Sequence, residues 1–181
     1  MVNIYELKLS LLQQRITRLL FVKAGMPLNM NRVAKILKVS QPAVLKAMPL
    51  LQKEGLANAK QDKESSRWAI ELNREDKKVI GLKRADNLKQ LYESGLVQYL
   101  YDIFNGATII LFGSYANGED TIESDIDLAV IGSEKKEFDV KFEKILERTI
   151  IVNYYKSFKN IDKFLLNNIL NGITLKGAVE I

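Results

Sequence analysis

The chain contains no cysteine and no histidine. The first absence excludes disulfides, thiolate zinc sites and cysteine nucleophiles. The second excludes imidazole ligands and hydrolases built on a Ser-His-Asp triad. A metal ion would find only oxygen ligands here, which selects a hard cation such as magnesium, manganese or calcium. A general base is restricted to a carboxylate, a lysine, a tyrosine or the substrate itself. Proline is scarce, at 3 residues, and no apolar run approaches the roughly 18 residues needed to cross a bilayer. The opening MVNIYELKLS lacks the basic patch and apolar core of a secretory signal. The expectation is a cytoplasmic protein with no membrane segment. Low-complexity tracts and internal repeats are also absent from the sequence.

What is present is ordinary in bulk and uneven in distribution. The 181 residues are 47% hydrophobic and 27% charged, enough for one full domain or two small ones. Residues 1–90 carry 18 lysines and arginines against 8 acidic residues, and residues 91–181 carry 9 against 14. The halves are therefore +10 and −5, within a net charge of +5. A basic first half suggests a polyanionic partner, and an acidic second half suggests a different task.

In the first half, SLLQQRITRLLFVKA, Ser10 to Ala24, puts Leu12, Ile16, Leu19 and Leu20 at helical spacing, and Gly25 and Pro27 end it. NMNRVAKILK predicts a second helix with Val33, Ile36 and Leu37 inward. SQPAVLKAMPLLQKEG predicts a third, with Ser40 as N-cap, Pro42 in the first turn and Gly55 beyond the end. Pro49, inside that helix, should kink it. LANAKQDKESSRWAIEL then reads as two short strands around a polar tip, with Trp68 as a core anchor. Two helices joined by a tight turn and followed by a hairpin resemble a winged helix-turn-helix, over residues 8–72. The resemblance implies that the third helix enters the major groove of double-stranded DNA. Ser40, Gln41 and Lys46, with Gln52 and Lys53 further along, are then the candidates for DNA contact, and Lys60, Lys63 and Arg67 of the hairpin would flank the backbone. A homodimer reading two half-sites is the accompanying expectation. A solvated basic face on a small helical domain is the alternative, and the 12 basic against 5 acidic residues within 1–72 weigh against it.

Residues 73–106 read as connecting helices, with Leu88, Leu91, Leu96, Val97, Leu100, Ile103 and Phe104 in helical period and Gly95 as a cap or break. From residue 107 the pattern alternates: strand ATIILF, strand SDIDLAVI, helix EFDVKFEKILER, strand TIIVNYY and helix IDKFLLNNILNG. The expected fold class is α+β, a winged helix-turn-helix over 1–72 followed by a small mixed sheet over 107–181.

The chemistry concentrates in LFGSYANGEDTIESDIDLAVI, residues 111–131. Residues two apart in a strand face one side, about 6.6 Å apart along the chain, so Asp125 and Asp127 present two carboxylates to one place. Like charges that close need a shared proton, a basic side chain or a bound cation. Without histidine, a divalent cation is the most economical partner. Gly113 after a strand lets the backbone approach a ligand, and the Ser114 hydroxyl with the following N–H groups favours phosphate. A phosphate cradle beside a cation-binding carboxylate pair suits phosphoryl or nucleotidyl transfer.

Gly113-Ser114 and, ten residues on, Asp125-x-Asp127 in this strand context resemble the minimal nucleotidyltransferases of the polymerase-beta-like superfamily, over residues 90–177. The spacing is that of the branch acting as antitoxins to HEPN toxins. The resemblance implies that Asp125 and Asp127 are catalytic and hold Mg2+ or Mn2+, that Gly113 and Ser114 bind nucleotide phosphates, and that Gly118 permits the tight loop. It also implies transfer of NMP from an NTP, with ATP expected, to a hydroxyl, in that branch a tyrosine of a cognate toxin-like protein. One departure stands out. Active members of the family generally carry a third carboxylate on the following strand, where RTIIVNYYKS offers Ile151 and Asn153, with Glu147 and Asp162 as the nearest acidic residues. The alternative reading is a non-catalytic DNA-binding regulator whose nucleotidyltransferase-like domain senses nucleotide or dimerises.

Overall fold

The computed structural model describes residues 8–61 and 68–180. The chain divides into two compact units between Val79 and Ile80.

The first unit opens with α1 (Leu11–Val22), started by a reciprocal cap. The Gln13 N–H donates to Ser10 Oγ at 3.3 Å, and the Ser10 N–H donates to Gln13 Oε1 at 2.8 Å, which satisfies donors that a helix start otherwise leaves unpaired. α2 (Met30–Leu37) starts at Asn29, whose side chain accepts from the Arg32 N–H at 2.8 Å, and ends at Lys38 in the left-handed region, φ 55°. Ser40 caps α3 (Gln41–Lys53), accepting from the Ala43 N–H at 3.3 Å. α3 is continuous through Pro49, an exposed position whose ring removes the N–H that would bond to the Leu45 carbonyl. β1 (Ala57–Gln61) and β2 (Trp68–Leu72) pair antiparallel, and Leu28 adds a bridge to Ile70 through two backbone hydrogen bonds of 2.9 and 2.7 Å.

Ile16, Leu20, Val33, Val44, Leu51 and Ile70 are all at most 1% exposed. Burial of such side chains contributes about 1.5–3 kcal/mol each. Ile36 departs from expectation, at 43% exposed. Its neighbours Val33 and Leu37 already span the inward stripe, and Ala34 rather than Ile36 completes it. Trp68 is only half-buried.

Crossing the division is α4 (Lys77–Glu93); Gly95, at φ 79°, separates it from α5 (Leu96–Ile103). The second unit continues through β3 (Thr108–Phe112), α6 (Gly113–Asn117), β4 (Ile126–Ile131), α7 (Lys141–Leu146), β5 (Ile150–Tyr155), a 3-10 turn, α8 (Lys163–Leu170) and β6 (Ile173–Lys176). The sheet order is β5-β4-β3-β6, with β4 and β5 parallel and the other pairs antiparallel. Alternation divides the sheet into two faces. Ile109, Leu111, Leu128 and Val130 pack with Leu91, Leu100, Phe104 and Phe142 of the flanking helices. Ile110, Phe112, Ala129 and Ile131 pack with Phe158, Ile161 and Ile169. Asp127 shares the parity of Ala129 and Ile131, so it lies at the open end of this second face.

β6 was not expected, since four residues of ITLK carry too little pattern to register. Its approach depends on Gly172, where a Cβ would lie 2.3 Å from the Leu111 carbonyl. α7 is shorter than the pattern suggested, because residues 137–140 are not helical.

Candidate functional site

Phe112 and Asp127 are cross-strand partners, so the residue after Phe112 arrives beside the Asp127 carboxylate. That residue is Gly113, at φ 75°, and a Cβ there would sit 2.8 Å from Asp127 Oδ2. Glycine is required twice, for its backbone angle and for this approach. Ser114 follows in the first turn of α6, half-buried, with its carbonyl accepting from the Glu119 N–H at 3.0 Å. The helix closes at Gly118, φ 77°, where a Cβ would lie 2.5 Å from the Ile80 carbonyl and 2.7 Å from the Arg84 amide. The loop that leads to the two aspartates is therefore seated against the backbone of α4.

Asp127 lies within β4, and Asp125 immediately precedes the strand rather than sharing it. Both are half-buried. Among the described residues neither carboxylate has a hydrogen bond or an ion pair. Burial, and next the charge of Asp125, push the Asp127 carboxyl above its ordinary range. A bound cation would relieve both causes, and two carboxylate oxygens beside a close-approaching backbone fit a hard divalent ion held jointly with phosphate. In parallel register, Asp127 stands beside Ile151, which is 39% exposed, and Asn153 stands beside Ala129. Asp162 is committed elsewhere, its carboxylate accepting from the Phe164 and Leu165 N–H groups at the start of α8. Glu147 ends α7 at φ 51° and lines, with Asp125, Glu123, Glu143 and Arg148, an open cleft of 350 Å³.

A second polar centre lies behind the loop. Asp120 is 1% exposed and receives Lys83 Nζ on Oδ1, Asn87 Nδ2 on Oδ1 at 2.7 Å, and Arg148 Nη2 near Oδ2 at 3.5 Å. Asn87 Nδ2 also donates to the Tyr115 carbonyl at 2.9 Å. Lys83 and Arg148 are 1% and 5% exposed. The cluster joins α4, the α6–β4 loop and the residue two before β5, so it holds the segment that delivers Asp125. Sequence reading missed it. The signal was a stripe: Val79, Lys83, Asn87 and Leu91 recur every four residues, and the outer two are fully buried.

Of the candidate DNA-contact residues, Ser40 caps α3, Gln41 and Lys46 lie on it, Lys60 is on β1, and all four are exposed, as are Gln52 and Lys53. Lys63 and Arg67 lie outside the described residues. Among the described residues no helix is long and apolar enough to cross a membrane.

A family model described as Nucleotidyltransferase domain matches residues 94–173, a span that contains Gly113, Ser114, Asp125 and Asp127. The matched span is less than half of the chain and holds all four residues of the motif. None of the curated proteins matches the chain. Similar solved structures include a cysteine-to-serine mutant of Lactococcus lactis ZitR, at 21% identity and TM-score 0.42, covering 58% of this chain and 68% of that one. The adhesin competence repressor AdcR of Streptococcus pyogenes is similar at 23% identity and TM-score 0.42, covering 57% and 72%. The S. aureus MepR–DNA complex is similar at 21% identity and TM-score 0.37, covering 52% and 81%.

Proposed function

We propose that the first unit binds double-stranded DNA and that the second binds a nucleoside triphosphate with Mg2+ or Mn2+ and transfers its NMP, AMP in the expected case, to a hydroxyl. The observation that carries the second part is the meeting of Gly113 with the Asp127 carboxylate, with Asp125 beside it. Asp125 and Asp127 hold the cation, whose chemistry when bound is to neutralise phosphate charge. Gly113 admits the phosphates close to the backbone, and Ser114 offers its hydroxyl to them. The acceptor oxygen forms a bond to the α-phosphorus, the bond to the bridging oxygen breaks, pyrophosphate leaves, and the acceptor proton passes to solvent. A tyrosine on a cognate toxin-like protein is the acceptor we would try first.

For the first unit, the exposed Gln41 and Lys46 on α3 and Lys60 on β1 support docking of α3 in the major groove, with Ser40 at its start. Lys63 and Arg67, which lie outside the described residues, remain candidates for phosphate contact by residue type, and two copies of the chain would read two half-sites. A second reading is favoured by Ile151 beside Asp127: the nucleotide is bound and not turned over, and the chain is a regulator that senses it.

Labelled nucleoside triphosphates, offered one at a time with Mg2+ to the full chain with and without cell extract, separate the two. Label on a protein or nucleic acid that disappears in the Asp125→Ala, Asp127→Ala double variant is the expected result. Nucleotide binding without any label selects the sensing regulator. Equal labelling by the double variant removes the pair from the reaction.

A further inference from the structure

Asp127 has a neighbour on each side in the sheet, Phe112 on β3 and Ile151 on β5. In-register neighbours project from the same face, so the carboxylate is flanked by two apolar side chains. Phe112 is 5% exposed and belongs to the core on that face, whereas Ile151 is 39% exposed on the edge strand of the sheet. The polar Asn153 lies two residues further along, beside Ala129. Glu143 spends one oxygen on the Ile150 N–H, at 2.9 Å. Among the described residues no three acidic side chains gather closely enough to hold a metal ion.

Coordination chemistry turns this arrangement into a count. A magnesium-sized ion is held by one or two carboxylates, with substrate phosphates and water completing an octahedron. A two-ion centre sets its ions roughly 3.5–4 Å apart and needs protein oxygens for each. Asp125 and Asp127 with a triphosphate meet the first requirement and fall short of the second.

We infer that the centre takes a single divalent cation, bound together with the nucleoside triphosphate, and that Ile151 is the residue that keeps a second ion out. The inference rests on the nucleotide-binding reading given above. Ile151 offers no lone pair, and its branched side chain displaces the water that would complete a second ion's shell. Asp125 and Asp127 would then hold one cation, which would neutralise phosphate charge.

The test is a count of bound Mn2+ on the full chain by electron paramagnetic resonance, with an ATP analogue whose α,β-bridge is methylene so that no transfer occurs. One ion per chain is expected in the natural sequence and two in Ile151→Asp, with the line broadening that neighbouring spins produce. Should Ile151→Asp fail to fold by circular dichroism, Ile151→Asn supplies an oxygen ligand without charge and is expected to gain the second ion at higher Mn2+. Two ions in the natural sequence would overturn the inference and leave the nucleotide-binding reading standing. No bound ion on the folded natural chain would overturn both. A folded Ile151 variant that still binds only one removes that residue from the account.

Discussion

Asp120 and Asp127 stand seven positions apart in one unit, and their surroundings are opposite. Asp120 is sealed at 1% exposure with an ammonium, a guanidinium and an amide drawn onto it. Asp127 is half-buried, and its near neighbours are a second carboxylate, a glycine and two apolar side chains. The first carboxylate has its countercharges supplied by the fold and serves architecture. The second has been left without them, at a cost that an arriving cation would reverse. On the proposed reading, the difference between holding a loop and holding a ligand within one sheet-and-helix unit is whether the chain itself neutralises the charge.

The comparison breaks most visibly at Asp120. Asp120→Ala should destabilise the second unit by about 3–5 kcal/mol, the range for removing one member of a buried ion pair. Urea unfolding followed by circular dichroism measures it, since the sole tryptophan, Trp68, belongs to the other unit. A loss below about 1 kcal/mol would mean that the cluster does not anchor the loop.

Asp127→Asn should act in the opposite direction and by much less. The folded protein holds the Asp127 proton more tightly than the unfolded chain does, because burial and then Asp125 disfavour the charge. The stability this proton contributes is present at low pH and is lost as pH rises through the raised pKa. The asparagine variant should therefore be the more stable protein at neutral pH, the two should converge below the ordinary aspartate range, and the variant should lose Mn2+ binding. Equal stability at all pH values would remove the repulsion from the account. Lys46, an exposed charge on α3, sharpens the contrast as a control. Lys46→Glu should shift stability by no more than about 0.5 kcal/mol. It should weaken DNA binding about tenfold and reduce the slope of affinity against salt by roughly 1, as read by fluorescence anisotropy.

How far the sequence foretold this depends on the range of the interaction. Gly113-Ser114 and Asp125-x-Asp127 were legible because a strand, a tight turn and a strand leave a local signature in both spacing and residue type. Ser40 was readable as a cap for the same reason. The Asp120 cluster was not, because its members come from positions 83, 87, 120 and 148, and a lysine in sequence reads as solvated until the fold buries it. Ile36 shows the converse: an apolar residue at a plausible spacing lies outside the stripe that Val33, Ala34 and Leu37 fill. β6 is held by its pairing with β3 and by Gly172, neither of which a four-residue window contains. Ile151 became informative only once the parallel register set it beside Asp127.

The seating of Gly118 against α4 also decides how this domain can travel. A fragment trimmed to the borders of the matching family model, 94–173, keeps Asp120 and Arg148 but omits Lys83 and Asn87. It also omits the Ile80 carbonyl and Arg84 amide on which the loop rests. Such a piece would carry every residue of the recognisable motif and yet lack the support that shapes it. The smallest portable version of the second unit begins no later than Ile80. In recombination, natural or engineered, α4 must therefore move with the sheet, and a fusion partner can be exchanged only upstream of it.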